Sequence, residues 1–131
     1  MVYIDGYISI FVKDLERSRK FYEAILGFKV VLTTPTGNFI LFDAGGIPFA
    51  LYRESAASNV TPTKIGDGSD TPKFCLSLQV DDVDSVYIDL KSKGVEFLDE
   101  PTDWFFGERA AHFYDLDRNL IRIFKQISRK R

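Results

Sequence analysis

The residues that could carry acid–base or metal chemistry are few. The 131-residue chain has one histidine, His112, and one cysteine, Cys75. A single cysteine excludes an internal disulfide and a cysteine-rich zinc site, and a single histidine severely restricts metal binding. No serine or paired carboxylate adjoins His112 in the sequence, so a structural histidine is favoured over a catalytic one. Cys75 is interpreted as a small semi-apolar filler. Both side chains stay candidates for contacting a ligand.

One cation is predicted to lie on a strand face near the C-terminus. Arg122 alternates with apolar residues, so its side chain points to one side of its strand together with two apolar neighbours. There it can recognise a carboxylate or a phosphate bidentately. The alternative is a structural role in which a carboxylate such as Glu54 or Asp115 neutralises the guanidinium. The sequence does not separate these two interpretations.

An aromatic run offers a stacking surface for a planar ligand. Aromatic residues make up 15% of the chain, and Trp104, Phe105 and Phe106 follow one another. A single indole suits stacking on a flat ligand. Trp104 is therefore predicted to contact ligand. The two phenylalanines are predicted to pack in the core or in a dimer interface.

Charge and hydropathy exclude two classes of partner. The net charge is −2, and neutralising nucleic-acid phosphates needs a surplus of Lys and Arg. No apolar run approaches the roughly 20 residues that span a bilayer. The first 20 residues include seven charged side chains, and no secretory signal is visible. The sequence thus predicts a cytoplasmic protein that binds neither nucleic acid nor membrane.

The elements that must position these residues occur twice. One domain, 1–131, is predicted to hold two modules, 1–54 and 74–127, joined by a polar loop, 55–73. Each module reads strand, helix and three strands, with Asp14 and Asp82 as helix N-caps and Gly27 and Gly94 as C-caps. The predicted strands are 3–12, 28–34, 38–43, 47–53, 74–80, 95–98, 110–115 and 120–125.

The first strand of each module has one apolar face and one mixed face. YISIFVKDL (7–15) aligns with CLSLQVDDV (75–83). The apolar sets are predicted to pack against the helices. The opposite sets, which begin with Tyr7 and Ser9 in one module and with Cys75 and Ser77 in the other, suit a partly wet concave surface that holds a small molecule.

These segments resemble the vicinal oxygen chelate superfamily of glyoxalases, extradiol dioxygenases, epimerases, fosfomycin-modifying transferases and bleomycin-resistance proteins. The resemblance is carried by YISIFVKDLERSRKFYEAILGF, CLSLQVDDVDSVYIDLKSKGVEF and HFYDLDRNLIRIF. It implies an α+β fold of two tandem βαβββ modules whose curled sheets enclose a cavity. It also implies a homodimer. Whether the modules pair within one chain or between chains stays open.

The resemblance also locates the positions where the family holds a divalent metal. The family uses His, Glu, His and Glu, whereas this chain has Tyr7, Ala50, Cys75 and Arg122. A metal needs deprotonated donors that converge on one point, and a guanidinium has no lone pair to give. The substitutions therefore predict that no metal or other cofactor is bound.

The leading hypothesis is a metal-free protein of the bleomycin-resistance type that has no catalytic residues and binds an aromatic small molecule, with an anionic group on that molecule as the partner of Arg122. The analogy extends to antibiotic resistance. Alternatives are a metal-dependent lyase, epimerase or dioxygenase with non-standard ligands, and a protein-interaction module. The candidate ligand-binding residues are Tyr7, Ser9, Tyr52, Cys75, Ser77, Trp104, His112 and Arg122.

Overall fold

The computed structural model describes residues 2–3, 7–62 and 74–127, which fall into two units, Met1–Ser69 and Asp70–Arg131. The first unit contains β1 (Ile8–Val12), α1 (Leu15–Lys20) with a π-helical continuation (Phe21–Ile25), β2 (Lys29–Thr33), β3 (Phe39–Ala44), β4 (Ile47–Arg53) and a 3₁₀ helix (Glu54–Asn59). The second unit contains β5 (Cys75–Gln79), α2 (Val83–Ser92), β6 (Thr102–Trp104), β7 (Glu108–Tyr114) and β8 (Leu120–Gln126).

Each unit is built on a four-stranded mixed sheet, and the strand order is the same in both. The orders are β1-β4-β3-β2 and β5-β8-β7-β6. The first strand of each unit pairs in parallel with the last, and the other pairs are antiparallel. This confirms the predicted α+β fold of two βαβββ modules. Both sheets are open, and the enclosed cavity stays a prediction.

Both helices start and end where the sequence predicts. The carboxylate of Asp14 accepts a hydrogen bond from the backbone N–H of Arg17, and that of Asp82 accepts one from Ser85, both at 3.1 Å. The glycines after the two helices, Gly27 and Gly94, have φ of 77° and 93°. Only glycine adopts this region at no steric cost, so each ends its helix.

The first core is a cluster of rings between the helix and the sheet. The ring of Tyr22 lies 5.5 Å from that of Phe28, 6.1 Å from that of Phe42 and 5.0 Å from that of Phe49. All four side chains are buried. Burying a phenylalanine stabilises a fold by about 1.5–3 kcal/mol. This cluster fixes which face of the sheet packs on the helix and leaves the other face available.

The second core follows the same plan with fewer rings. Phe97 lies between Tyr87 of α2 and Phe113 of β7, with ring centroids 4.6 Å and 5.1 Å away. Ile121 and Ile123 of β8 are buried on the same side as Phe113. The residues that alternate with them therefore form the opposite face of this sheet.

Three predicted segments differ from the structure by more than two residues. The strand predicted at 95–98 is wrong: Phe97 makes a single bridge to Phe113, and the edge strand is β6. Val95 is buried and the ring of Phe97 contacts those of Tyr87 and Phe113, so the alternation of this segment resembles that of a strand. The predicted loop 55–73 begins with the 3₁₀ helix, and 63–73 lie outside the described residues. The strand predicted at 3–12 starts at Ile8, and 4–6 also lie outside them.

Neither α1 nor α2 could cross a membrane, and the same holds for every helix in the described ranges.

Candidate functional site

The open face of the second sheet brings predicted site residues side by side. Ser77 of β5 is the register partner of Arg122 in β8, and Arg122 is also the partner of His112 in β7. Directly opposed residues on neighbouring strands point to the same side of a sheet. The three side chains therefore form one row across the centre of the sheet. Trp104 of β6 lies beyond His112 on the same side.

Arg122 forms an ion pair with Glu108 of β7. The two side chains are 14% and 7% exposed, so the pair is largely buried. A carboxylate therefore neutralises the guanidinium, as the structural alternative expects, but it is Glu108 and not the suggested Glu54 or Asp115. Asp115 instead accepts hydrogen bonds at 2.7–2.9 Å within the turn that leads into β8. Glu108 was missed because it lies 14 residues from Arg122 on another strand, where no sequence spacing relates them.

Two rings flank the Arg122 guanidinium. Its central carbon lies 4.8 Å from the centroid of Phe124 and 5.6 Å from that of Phe106. Phe106 also stacks with Trp104 at 6.3 Å, with 25° between the ring planes. Arg122 is thus held in place by one carboxylate and two aromatic faces, an arrangement favoured by the cation–π attraction.

The aromatic run divides into one exposed ring and two rings on the site face. Phe105 is 93% exposed, so it does not pack in the core, and the alternative of a dimer interface stays a prediction. Phe106 is half-buried against Arg122. Trp104 is 40% exposed, so part of its indole faces solvent and can meet a ligand.

His112 has a carboxylate partner that the sequence did not indicate. Its Nδ1 lies 2.8 Å from one carboxylate oxygen of Asp99, and its backbone N–H donates to the other at 2.7 Å. The imidazole also contacts the Trp104 ring edge to face, at 5.9 Å. Asp99 was missed because it is 13 residues away in a segment that crosses beside β7 only in the folded unit.

Cys75 and Ser77 lie in β5, on the same face. The thiol of Cys75 is exposed, and its sulfur lies 3.8 Å from the Ser77 hydroxyl. The hydroxyl can donate and accept hydrogen bonds to a molecule on the face, whereas the thiol is only a weak partner. No other partner for the thiol is recorded within the described part of the chain.

The first unit carries the other three predicted site residues on the open face of its own sheet. The ring of Phe39 connects Tyr7, at 5.8 Å, with Tyr52, at 6.3 Å. Ser9 is exposed and opposes Ala50. Tyr7 also helps to line a pocket of about 600 Å³ with mostly apolar walls. The predicted mixed face is thus present in this unit, with aromatic rings as its main feature.

The sequence of the chain matches a known protein family over most of its length. A family model described as the Glyoxalase/Bleomycin resistance protein/Dioxygenase superfamily matches residues 6–123. The chain belongs to this superfamily. Its two open sheets of identical order, each with one helix, are the modules of the vicinal oxygen chelate fold.

Relatives and solved structures of the superfamily resemble the chain over nearly its full length. The uncharacterized protein YraH of Bacillus subtilis is 37% identical over 125 residues, which cover 92% of this chain and 96% of YraH. A glyoxalase/bleomycin resistance protein/dioxygenase from Nocardioides has a TM-score of 0.80 at 20% identity, covering 98% and 87%. The fosfomycin resistance protein FosX from Listeria monocytogenes has a TM-score of 0.72 at 19% identity, covering 95% and 94%. The last two similarities show a shared fold.

The residues at the superfamily's metal-ligand positions do not fit a divalent cation. In the first unit, Ala50 is fully buried and offers only a methyl group. In the second unit, Arg122 is a permanent cation that already binds Glu108. A guanidinium has no lone pair with which to coordinate a metal, and the carboxylate beside it is already engaged in the ion pair. Within residues 7–62 and 74–127 no group of three His, Cys, Asp or Glu is arranged to hold a metal.

Proposed function

We propose that this superfamily member binds a small aromatic anion, a carboxylate or a phosphate, on the open face of its second sheet, and that it does so without a metal. The observation that carries the proposal is the position of Arg122, which is largely buried between two rings and held by a single carboxylate. Small-molecule sites are mostly apolar, with a few fixed polar groups.

Arg122 supports recognition of an anion because it keeps unused donors. A guanidinium has five N–H groups, and only one, on Nη2, donates to Glu108. No other hydrogen-bond partner of Arg122 is recorded among the residues that the structure describes. At longer range the negative charge of Glu108 cancels the positive charge of Arg122. An anion must therefore be held mainly by direct hydrogen bonds to the guanidinium. A planar guanidinium provides two parallel bonds to a carboxylate or phosphate.

Trp104 and Phe106 support the aromatic part of the ligand. The two rings are stacked, Phe106 contacts the Arg122 guanidinium, and Trp104 is 40% exposed, so part of its indole can meet a ligand. Stacked or edge-to-face aromatic pairs contribute about 0.5–1.5 kcal/mol beyond their buried area. A ligand that combines a ring with an anionic group can use both features at once.

The proposal assigns ligand contact to Cys75, Ser77, Trp104, His112 and Arg122, which share one face. For Tyr7, Ser9 and Tyr52, on the face of the first unit, ligand contact stays a prediction. The wider proposal is a cytoplasmic homodimer that sequesters an aromatic drug or metabolite. FosX, which has the same fold, is named a fosfomycin resistance protein, and this name supports only the part of the proposal that concerns resistance to a drug. Sedimentation of the purified chain tests the dimer.

Binding can be followed through the only tryptophan. Benzoate and phenyl phosphate are expected to quench or shift Trp104 fluorescence in a saturable way, and benzyl alcohol, which lacks the anion, to bind at least tenfold more weakly. Arg122→Lys keeps the charge and the Glu108 pair but loses the bidentate fork, so benzoate affinity should fall about tenfold, or 1.4 kcal/mol. Arg19→Lys, in an exposed pair with Glu23, is the matched control and should leave affinity unchanged.

Two results would contradict the proposal. Equal affinity for benzoate and benzyl alcohol would show that Arg122 does not recognise the anion. A stoichiometric divalent metal in the purified protein would show that other donors build a metal centre, as a metal-dependent enzyme of the superfamily requires.

A further inference from the structure

We infer that His112, oriented by Asp99, transfers a proton to and from the ligand that Arg122 holds, so that the protein is a metal-free proton-transfer enzyme for aromatic keto acids. This inference rests on the proposed function, because it needs the anionic ligand at Arg122. It goes further by assigning a reaction and a catalytic residue.

Asp99 fixes the position of the imidazole through two contacts. One carboxylate oxygen accepts the backbone N–H of His112 at 2.7 Å, and the other lies 2.8 Å from Nδ1. Because a carboxylate accepts hydrogen bonds, the neutral ring carries its proton on Nδ1 and its lone pair on Nε2. Nε2 has no partner among the described residues. The ring is therefore positioned as a base, and Asp99 stabilises the imidazolium that forms after it takes a proton.

The position of His112 on the sheet brings its ring within reach of a molecule bound by Arg122. The two residues are direct register partners on β7 and β8. Side chains in such pairs start about 4.5–5.5 Å apart at Cβ. A carboxylate bound by Arg122 therefore places the carbons one or two bonds away next to the imidazole. Trp104, in contact with His112, lies where the ligand ring would stack.

An aromatic 2-keto acid such as phenylpyruvate meets these requirements. Its carboxylate would bind Arg122 and its ring would stack on Trp104. Nε2 of His112 removes a proton from the carbon between the ketone and the ring. The electron pair of that C–H bond forms the C=C bond of an enolate, while the π pair of the C=O bond moves to the oxygen. The imidazolium returns the proton to the enolate oxygen and gives the enol. The reverse sequence restores the ketone, and nothing is oxidised or reduced.

The test follows exchange of the phenylpyruvate C3 protons for deuterium by NMR, with the full chain pretreated with EDTA. The wild type is expected to exceed the spontaneous rate. The exchange rate of His112→Gln should be about 10²- to 10⁴-fold lower, which is the usual contribution of a general base. This variant should still bind phenylpyruvate in the Trp104 fluorescence assay. The exchange rate of Asp99→Asn should be lower than that of the wild type, and that of Asp99→Glu should lie between the two.

A second readout tests Asp99 as a positioning residue. Since His112 is the only histidine, ¹⁵N spectra of the labelled chain report its tautomer without assignment. The neutral ring should be protonated on Nδ1, and Asp99→Asn should weaken that preference. A neutral ring protonated on Nε2 would overturn the inference.

The remaining outcomes separate the inference from the proposed function. Binding without accelerated exchange, or exchange that persists in His112→Gln, overturns the inference and leaves the binding function standing. If EDTA abolishes the exchange, the inference is overturned, because the reaction then depends on a metal. If neither phenylpyruvate nor benzoate binds, the proposed function fails and the inference fails with it.

Discussion

At the scale of single residues, the pair formed by Arg122 and Glu108 determines the chemistry of the second sheet face. Both side chains are largely buried, so the free-energy cost of removing them from water is offset only while they stay together. The guanidinium stands at a position that holds a carboxylate in metal-binding relatives. Under the proposed function, this substitution replaces a cation-binding position with an anion-binding one.

Removing one member of this pair should lower the free energy of unfolding far more than replacing both members with apolar side chains. Arg122→Met leaves Glu108 buried beside an apolar side chain and should lower the free energy of unfolding by about 3–5 kcal/mol. The double variant Arg122→Met/Glu108→Leu should recover most of that loss, because no buried charge remains. Urea denaturation of the four members of the cycle measures both effects.

The exposed pair of Arg19 and Glu23 provides the control for this cycle. Both side chains are more than 40% exposed, and such pairs contribute about 0.3–0.5 kcal/mol. Arg19→Met should therefore change stability only slightly. If the double variant is less stable than Arg122→Met, the pair is held by further contacts that the charge argument does not include.

At the scale of elements, the sequence predicted local features better than contacts between strands. Both N-caps and both C-cap glycines were predicted because a cap depends on residues within one turn. The edge strand was misplaced because the apolar pattern around Phe97 fits a strand as well as a core-filling loop. The site face was predicted from alternation. Glu108 and Asp99, which complete it, approach their partners only after the strands have paired.

The two helix caps should contribute equally, because they occupy equivalent positions in the repeat. Asp14→Ala and Asp82→Ala should each lower the free energy of unfolding by about 0.5–2 kcal/mol, and serine at either position should retain most of the stability. Asp81→Ala is the matched control, since Asp81 lies one residue before the cap. Chemical denaturation measures the three changes. A loss in Asp81→Ala as large as that in Asp82→Ala would contradict the assignment of the cap.

The contact between α2 and β7 should make stability depend on acid. Arg109 binds both carboxylate oxygens of Asp84, at 3.0 Å and 2.8 Å, and this holds the pKa of Asp84 below its ordinary value. A carboxylate whose folded pKa is lowered stabilises the fold above its unfolded pKa of about 3.9, and this contribution is lost as the pH falls further.

The comparison of wild type with Asp84→Asn tests this dependence. The wild type should have the higher urea midpoint at pH 7 and pH 5, and the difference should shrink below about pH 4. Asp89→Asn, which removes a pair with Lys93 within the same helix, should have a smaller effect at neutral pH. A difference that grows in acid would contradict the lowered pKa of Asp84.

At the scale of the whole molecule, membership of the superfamily establishes the fold and leaves the chemistry to be argued from the site. FosX shares the fold at 19% identity, and the same architecture supports different reactions in different members. The features that distinguish this chain are the loss of ligating atoms at Ala50 and Arg122, the pair with Glu108, and the pairing of Asp99 with His112. Together they favour an anionic ligand over a cation.

Thermal unfolding of the intact chain discriminates between these two kinds of ligand. Only a molecule that binds the folded state raises the melting temperature, by RT ln(1 + [L]/Kd) in free energy. Benzoate at about 100 times its Kd should stabilise the chain by about 2.7 kcal/mol, a rise of roughly 8–11 °C for a chain of this size. Zn²⁺, Mn²⁺ and Ni²⁺ should produce no rise, and EDTA no fall, because Ala50 and Arg122 provide no lone pair at two of the positions that hold a metal in relatives. A rise with any of these metals that EDTA reverses would mean that other donors form a metal site, and the anion-binding role of Arg122 would then have to be abandoned.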